Sequence, residues 1–152
     1  MKFLFITTIM LISNFCSIAQ EATTEIPSDL GKKTFTLLAI TPEKKAPAKW
    51  LEDALEKYYR GEYLIIESDE LYSSKYSDKD KYPYVLLVFE GYIPGQFSAG
   101  ERNAPSKSFS YGIRDLKTAK VYKWDSGKVN YKSMLIDYVK AIEKVRLANS
   151  GQ

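Results

Sequence analysis

A helix-spaced apolar stripe sits between two short runs of β-branched and aliphatic residues, and few folds accept that order. Trp50, Leu51, Ala54, Leu55, Tyr58 and Tyr59 recur as adjacent pairs every four residues, which places them on one face of a helix over Pro47–Arg60. Pro47 suits a first helical turn, where its missing N–H is not needed. Asp53 with Lys57 and Glu56 with Arg60 add acid-before-base pairs one turn apart, and Gly61 is a natural left-handed stop. Before the helix, Lys33–Ile40 (KTFTLLAI) reads as a strand. After it, the almost unbroken apolar run Tyr63–Glu67 (YLIIE) reads as a strand buried on both faces. Strand, helix and strand make a βαβ unit with a right-handed crossover. The chain is therefore expected in the α/β class, on its border with α+β.

Beyond this unit the pattern changes. Ser68–Pro83 is polar and carries Tyr72, Tyr76 and Tyr82 with Asp69, Glu70, Asp78 and Asp80. Tyr84–Tyr92 (YVLLVFEGY) is the strongest strand in the chain. Gly91–Pro105 is broken by Pro94, Gly95 and Gly100 and reads as a loop of about fifteen residues, longer than a simple connection requires. Phe109, Tyr111 and Ile113 alternate with polar residues, as in a half-buried antiparallel strand. Asp115–Thr118 turns the chain into Lys120–Trp124, the strand with the poorest alternation, and Asp125-Ser126-Gly127 turns it again. From Asn130 as N-cap, Tyr131, Met134, Leu135, Tyr138, Ile142 and Val145 form a second helical stripe over Tyr131–Leu147. The expected architecture is one domain over 33–147 in the order β-α-β-β-β-β-α. It has a mixed sheet of four or five strands and two main helices, with 20–32 a polar leader and 148–152 a polar tail. The alternative with the same beginning and end is a thioredoxin-like fold without redox cysteines.

The first nineteen residues have a different character. Met1-Lys2 supplies a charged start, Phe3–Ile12 an apolar run broken only by Thr7 and Thr8, and Ser17-Ile18-Ala19 a small-x-small cleavage site. This is the layout of a signal peptide, too short in its apolar part for a permanent membrane span. An exported chain starting at Gln20 is expected to contain neither Cys nor His, because Cys16 is the sole cysteine and the sequence has no histidine. Thiol nucleophiles, imidazole bases, disulfides and zinc sites with S or N ligands are thereby excluded, and no cofactor or metal is expected. Asn103, Asn130 and Asn149 open no glycosylation sequon, so the exported setting reads as bacterial: periplasm, outer surface or medium. Peripheral membrane attachment would need lipidation of Cys16, where Phe15 occupies a position that normally takes a small residue. The 22 Lys and Arg are interspersed with 19 Asp and Glu, which leaves no concentrated footprint for nucleic acid.

Several constellations have chemical readings. Glu67, Asp69, Glu70, Asp78 and Asp80 are residue types that hold a hard cation or work as an acid–base pair. They lack an Asp-x-Asp-x-Asp-Gly pattern, and Lys75, Lys79 and Lys81 interleave them, which favours a solvated mixed-charge loop. A glycosidase-type hydrolase using paired carboxylates is the competing class. Ser73-Ser74-Lys75 and Ser106-Lys107 lie in polar sequence without a Ser-x-x-Lys context, and Gly91, Gly95 and Gly100 lack the strand-loop-helix setting of a phosphate cradle. No catalytic residue is assigned. Of the twelve tyrosines, Tyr58, Tyr59, Tyr131 and Tyr138 fall on helix stripes and Tyr63, Tyr84 and Tyr111 on strands, where packing explains them. Tyr72, Tyr76, Tyr82 and Tyr92 fall in or beside the two long loops. Exposed tyrosines there would anchor a protein, peptide or glycan, because Tyr offers large contact area at low entropic cost. The binding candidates are Tyr92, Phe97 and Arg102 on Gly91–Lys107, with Tyr72 and Tyr76; the plainer reading tucks the loop aromatics onto the sheet.

Residues 33–145 also resemble a family of small envelope domains. The likeness rests on Trp50-Leu51-Glu52-Asp53-Ala54-Leu55, Leu64-Ile65-Ile66-Glu67-Ser68-Asp69-Glu70-Leu71, Tyr82-Pro83-Tyr84-Val85-Leu86-Leu87, and the hairpin from Arg114 through Thr118-Ala119 to Tyr122. The family includes the amino-terminal domain of the Tol-system translocation protein, the lipoprotein activators of penicillin-binding proteins and the curli-secretion lipoprotein. Where it commonly has Thr-Gly in the hairpin turn, this chain has Thr118-Ala119. The resemblance implies a non-enzymatic domain that binds another envelope protein, and it transfers no catalytic residue.

Overall fold

The computed structural model describes residues 26–93, 97–98, 101–102, 106–124 and 130–151. The expected signal peptide, Cys16 and the turn at Asp125-Ser126-Gly127 lie outside them. β1 (Thr36–Ile40), α1 (Lys45–Tyr58) and β2 (Glu62–Ile66) form the βαβ unit, with β1 and β2 parallel from Thr36↔Glu62 to Ile40↔Ile66. α1 starts two residues before Pro47, which stands buried in the first turn, where a helix has no use for its N–H. The helix ends at Tyr58. Tyr59 is extended, and Gly61 is not the left-handed stop expected of it. Its role is steric: a Cβ on Gly61 would lie 2.6 Å from the Tyr59 hydroxyl.

From β2 the chain crosses the sheet through two 3-10 turns, Glu70–Tyr72 and Ser74–Tyr76, and enters β3 (Tyr84–Ile93) on the other side of β1. After the short strands β4 (Phe97–Ser98) and β5 (Glu101–Arg102) come β6 (Ser106–Asp115), β7 (Val121–Trp124) and α2 (Tyr131–Asn149). The main sheet has five strands in the order β2-β1-β3-β6-β7. β1 is parallel to both its neighbours; β3 with β6 and β6 with β7 are antiparallel. This is the mixed-sheet, single-domain α/β fold that the alternation of strand and helix patterns implies.

Strand alternation sorts the core into two layers. Leu37 and Ala39 of β1, Tyr84 and Leu86 of β3, and Tyr111 and Ile113 of β6 pack with Leu51 and Leu55 of α1 and Leu135, Tyr138 and Ile142 of α2. The intervening Leu38 and Val85 face the other way, where Ile66, Tyr76 and Tyr82 close a second cluster beneath the crossover. Full burial of each such side chain contributes about 1.5–3 kcal/mol, so both layers hold the sheet. The strand buried on both faces is β1, not β2 as its apolar run predicts. Leu64 and Ile65 of β2 remain 40% and 38% exposed. The cause is topological: β3 takes the second side of β1 and leaves β2 at the sheet edge.

Ser28 and Leu30 of the expected leader and Asn149 of the expected tail take part in the fold. Leu30 is fully buried in the main core, and Asn149 Nδ2 donates to the carbonyls of Ser28 at 3.0 Å and Leu30 at 2.8 Å. Gly31 makes the bend after Leu30 at φ 96°, where a Cβ would stand 2.5 Å from the Arg146 carbonyl oxygen.

Candidate functional site

β3 outruns the strand beside it. Only Leu38↔Val85 and Ala39↔Leu86 join it to β1, whereas it pairs with β6 at every position from Tyr84↔Asp115 to Ile93↔Ser106. β7 supports β6 only over Tyr111–Arg114. Residues 88–93 and 106–110 therefore form a two-stranded arm, about 20 Å long at ~3.4 Å per residue. Val88, Phe89, Tyr92 and Ile93 are good strand formers, and a row of alternate serines (Ser106, Ser108, Ser110) runs along the opposing strand.

The expectation that Gly91–Pro105 is a loop without strand pairing is thus overturned for its described residues. β3 continues to Ile93, β6 begins at Ser106, and β4 pairs with β5 between them. The breaks at Pro94, Gly95, Gly100 and Pro105 hide the pairing, because strand signals on either side are only two residues long. Phe97 and Arg102, expected as anchors, are direct cross-strand partners; Tyr92 lies on β3 opposite Lys107. Phe97 and Arg102 thus belong to a separate two-stranded sheet that falls in sequence between β3 and β6.

The base of the arm is fixed by residues that carry no sequence signal of their own. Lys44, the residue before α1, places Nζ 2.7 Å from Glu90 Oε1 and 5.3 Å from the centre of the Phe109 ring. Phe109 in turn meets the Tyr131 ring edge-on at 5.3 Å. The ion pair is about two-fifths exposed on both sides and adds orientation more than stability. A cleft of about 250 Å³ opens here at the carboxyl end of β1, lined by Ile40, Thr41, Lys44, Ser68, Val88, Glu90 and Phe109. Ligands of open α/β sheets bind at such strand ends.

The crossover separates the other two candidates. Tyr72 is 80% exposed, while Tyr76 is 4% exposed and packs edge-on against Tyr82 with ring centres 5.4 Å apart. Tyr76 is a core residue and is withdrawn as an anchor. Spacing alone did not separate them, because one residue of a 3-10 turn points in and another points out. Among the residues whose burial is described, Tyr72 is the one exposed aromatic, and Trp50 and Trp124 are half-buried.

Of the seven tyrosines assigned to packing, four are buried in the core, and Tyr58, Tyr63 and Tyr131 pack against it partly exposed. Tyr59, Tyr84, Tyr111 and Tyr138 are buried, and the Tyr111 and Tyr138 hydroxyls donate to the carbonyls of Tyr131 at 3.0 Å and Tyr122 at 3.1 Å. Burial pushes the Tyr111 phenol up to about 12 and also raises Tyr59, Tyr84 and Tyr138, so none serves as a base near neutrality.

The acids build turns and ion pairs. Asp78 Oδ1 accepts from the backbone N–H of Asp80 and Lys81, and Asp80 is paired with Lys117. Asp115 accepts from the N–H of Lys117 at 2.7 Å and the Thr118 hydroxyl at 2.7 Å. Asp80 and Asp115 line one cleft of about 240 Å³ together with Lys117 and Asp29. The Lys117 hydrogen bond lowers Asp80. Partial burial opposes ionisation of Asp115, but its Thr118 and backbone hydrogen bonds outweigh it, and this carboxyl is lowered too. A glycosidase acid requires the opposite shift. Among the described residues no group of three carboxylates is arranged to hold a metal ion. No family model matches this chain, and no curated protein or solved structure matches it either.

Proposed function

We propose that this is an exported, non-enzymatic protein of a bacterial envelope that binds another protein during surface assembly or maintenance, and that the β3–β6 arm with its β4–β5 tip is the binding element. The observation that carries the reading is the arm: its ladder continues past β1 and β7, so the outer edge of each strand lacks a ladder partner among the described residues. An extended segment of a partner adds to such an edge through main-chain hydrogen bonds, and neighbouring side chains supply selectivity. Phe and Arg, paired at the tip, are types enriched at interfaces. The signal-like first nineteen residues and the resemblance to envelope domains support the compartment. The structural duties of Asp78, Asp80 and Asp115 support binding over hydrolysis.

The test removes the tip without touching the core. Replacing residues 94–105 by Asn-Gly closes a two-residue turn between Ile93 and Ser106, which are already register partners. Tagged parent and variant are compared for proteins captured from native envelopes, identified by mass spectrometry. The expected result is an unchanged melting temperature and loss of a specific captured protein, with Phe97→Ala and Arg102→Ala weakening the same capture. Capture that is unaffected in all three variants removes the arm as the site. Intact mass tests export: a start at Gln20 fits a soluble exported form and a diacyl mass at Cys16 an anchored one, whereas an uncleaved chain contradicts both.

A further inference from the structure

The two edges of the main sheet are guarded very differently. β7 is four residues long and carries Lys123, with Lys120 just before it; inserted charge and shortness are the usual defences of an edge. β2 has neither. It is straight through five paired residues, three of them the run Leu64-Ile65-Ile66, and its one charge, Glu62, accepts a hydrogen bond from the Thr36 hydroxyl of its own chain at 3.0 Å. Leu64 and Ile65, on opposite faces, are two of the few exposed large apolar side chains among the described residues.

The backbone of β2 fixes which groups are unused. The Thr41 N–H donates to the Ile66 carbonyl at 2.9 Å, so Ile66 faces β1 with its main-chain groups. In a parallel ladder alternate residues face the same neighbour, which assigns Glu62 and Leu64 to β1 as well. The N–H and C=O groups of Tyr63 and Ile65, flanked by those of Gly61 and Glu67, therefore point away from the sheet.

We infer that β2 is a self-association edge at which two copies of this chain join antiparallel about a twofold axis through Leu64, making one continuous sheet twice as wide. That register sets the outward-facing Tyr63 of each copy opposite Ile65 of the other, so every hydrogen-bonding position meets another. It also sets apolar against apolar on both faces: Tyr63 with Ile65 on the helix side and Leu64 with Leu64 on the other. The flanking charges agree with the same pairing. At the start of the strand exposed Arg60 and Glu62 balance, whereas its end is followed by exposed Glu67, Asp69 and Glu70, so an antiparallel copy keeps the two acidic ends apart. A parallel copy would stack like charges. Being isologous, the contact closes at two copies and does not propagate through this edge. It is independent of the arm and its partner.

The test is the mass of the purified protein in solution by sedimentation equilibrium over a rising concentration series. The parent should pass from monomer to dimer. Ile65→Lys, which places a charge in the new ladder, and Ile65→Pro, which deletes an N–H that β1 does not use, should both remain monomeric with the parent's circular dichroism. In a chain carrying Cys16→Ser, Leu64→Cys should cross-link to a dimer under mild oxidation, because directly opposed residues of a non-hydrogen-bonded pair lie about 4.5 Å apart between Cα atoms, within disulfide reach. Lys49→Cys, exposed on α1, should not. A parent that is monomeric throughout overturns the inference. So does a dimer that survives Ile65→Lys, or cross-linking through position 64 no better than through position 49.

Discussion

Arg146 closes on Glu143 one turn back along α2, with Nε 2.8 Å from Oε2 and Nη2 2.7 Å from Oε1. Glu143 is only 8% exposed, and burial alone would favour its neutral form. The Arg146 hydrogen bonds, helped by the backbone N–H and charge of Arg60, outweigh burial and hold the carboxyl below its ordinary range. Through Arg60, which follows α1, the Glu143 carboxylate ties that end of the helix to α2. Because the folded value lies below the unfolded one, the unfolded chain takes up protons first as pH falls. The stabilisation is complete above the ordinary carboxylate range and is lost as pH drops through the depressed folded value. Glu143→Gln should flatten that acid limb and lose about 1–3 kcal/mol at neutral pH, measured by urea unfolding at stepped pH. An acid limb identical to the parent's would contradict the assignment.

Ala119 sits at φ 60° in the turn between β6 and β7. The Asp115 N–H donates to the Lys120 carbonyl at 2.9 Å across this turn, and the Asp115 carboxylate braces its first half, so the left-handed residue is imposed by the surrounding bonds. A non-glycine residue there is strained by about 1–2 kcal/mol, part of which glycine's extra unfolded-state entropy offsets. Ala119→Gly should raise stability by about 0.5–1 kcal/mol, seen as a melting temperature a few degrees higher. A fall would show that Ala119 makes a contact worth more than the strain.

Tyr72 and Tyr76 should separate cleanly in thermal melts. Tyr76→Ala removes a ring from the cluster of Leu38, Ile66, Tyr82 and Val85 and should destabilise by about 3–5 kcal/mol. Tyr72→Ala should stay within about 0.5 kcal/mol of the parent, as surface substitutions do. Equal losses would mean that the crossover packs differently.

Asn149→Ala should destabilise by about 1–2 kcal/mol, since it removes two donors from the carbonyls of Ser28 and Leu30. The matching signature is faster amide exchange at Leu30, whose own N–H bonds the Pro27 carbonyl. Exchange unchanged at Leu30 would show that the N-terminal turn stands without α2.

The legible parts of this fold are those set by local period. The stripe Trp50–Tyr59, the alternation Phe109–Ile113 and the Asn130 cap, whose Oδ1 accepts from the Ser133 N–H at 3.2 Å, each declare their element. What sequence does not declare is which strand lies next to which. β1 and β2 have similarly apolar runs, yet only β1 acquires neighbours on both sides, so burial of Leu64 and Ile65 was expected and is not found. Leu30 was similarly concealed, because a lone leucine among polar residues has no period to reveal the core position it fills. At the arm, residue type points to Phe97 and Arg102, but their pairing depends on strands too short to show alternation.

The two register pairs that join β1 to β3 have a mechanical consequence. On one side of that seam lies a parallel half, β2 and β1; on the other lies an antiparallel half of hairpins, β3, β6 and β7, whose first ladder is ten residues long. Ladder partners within each half are 7 to 31 residues apart, whereas Leu38 and Val85 at the seam are 47 apart, and the main core and the α1–α2 packing bridge it. Partial opening should follow this fault line, so that the protein yields as two cooperative blocks, with the seam amides of β1 exposed while the hairpin block is still closed.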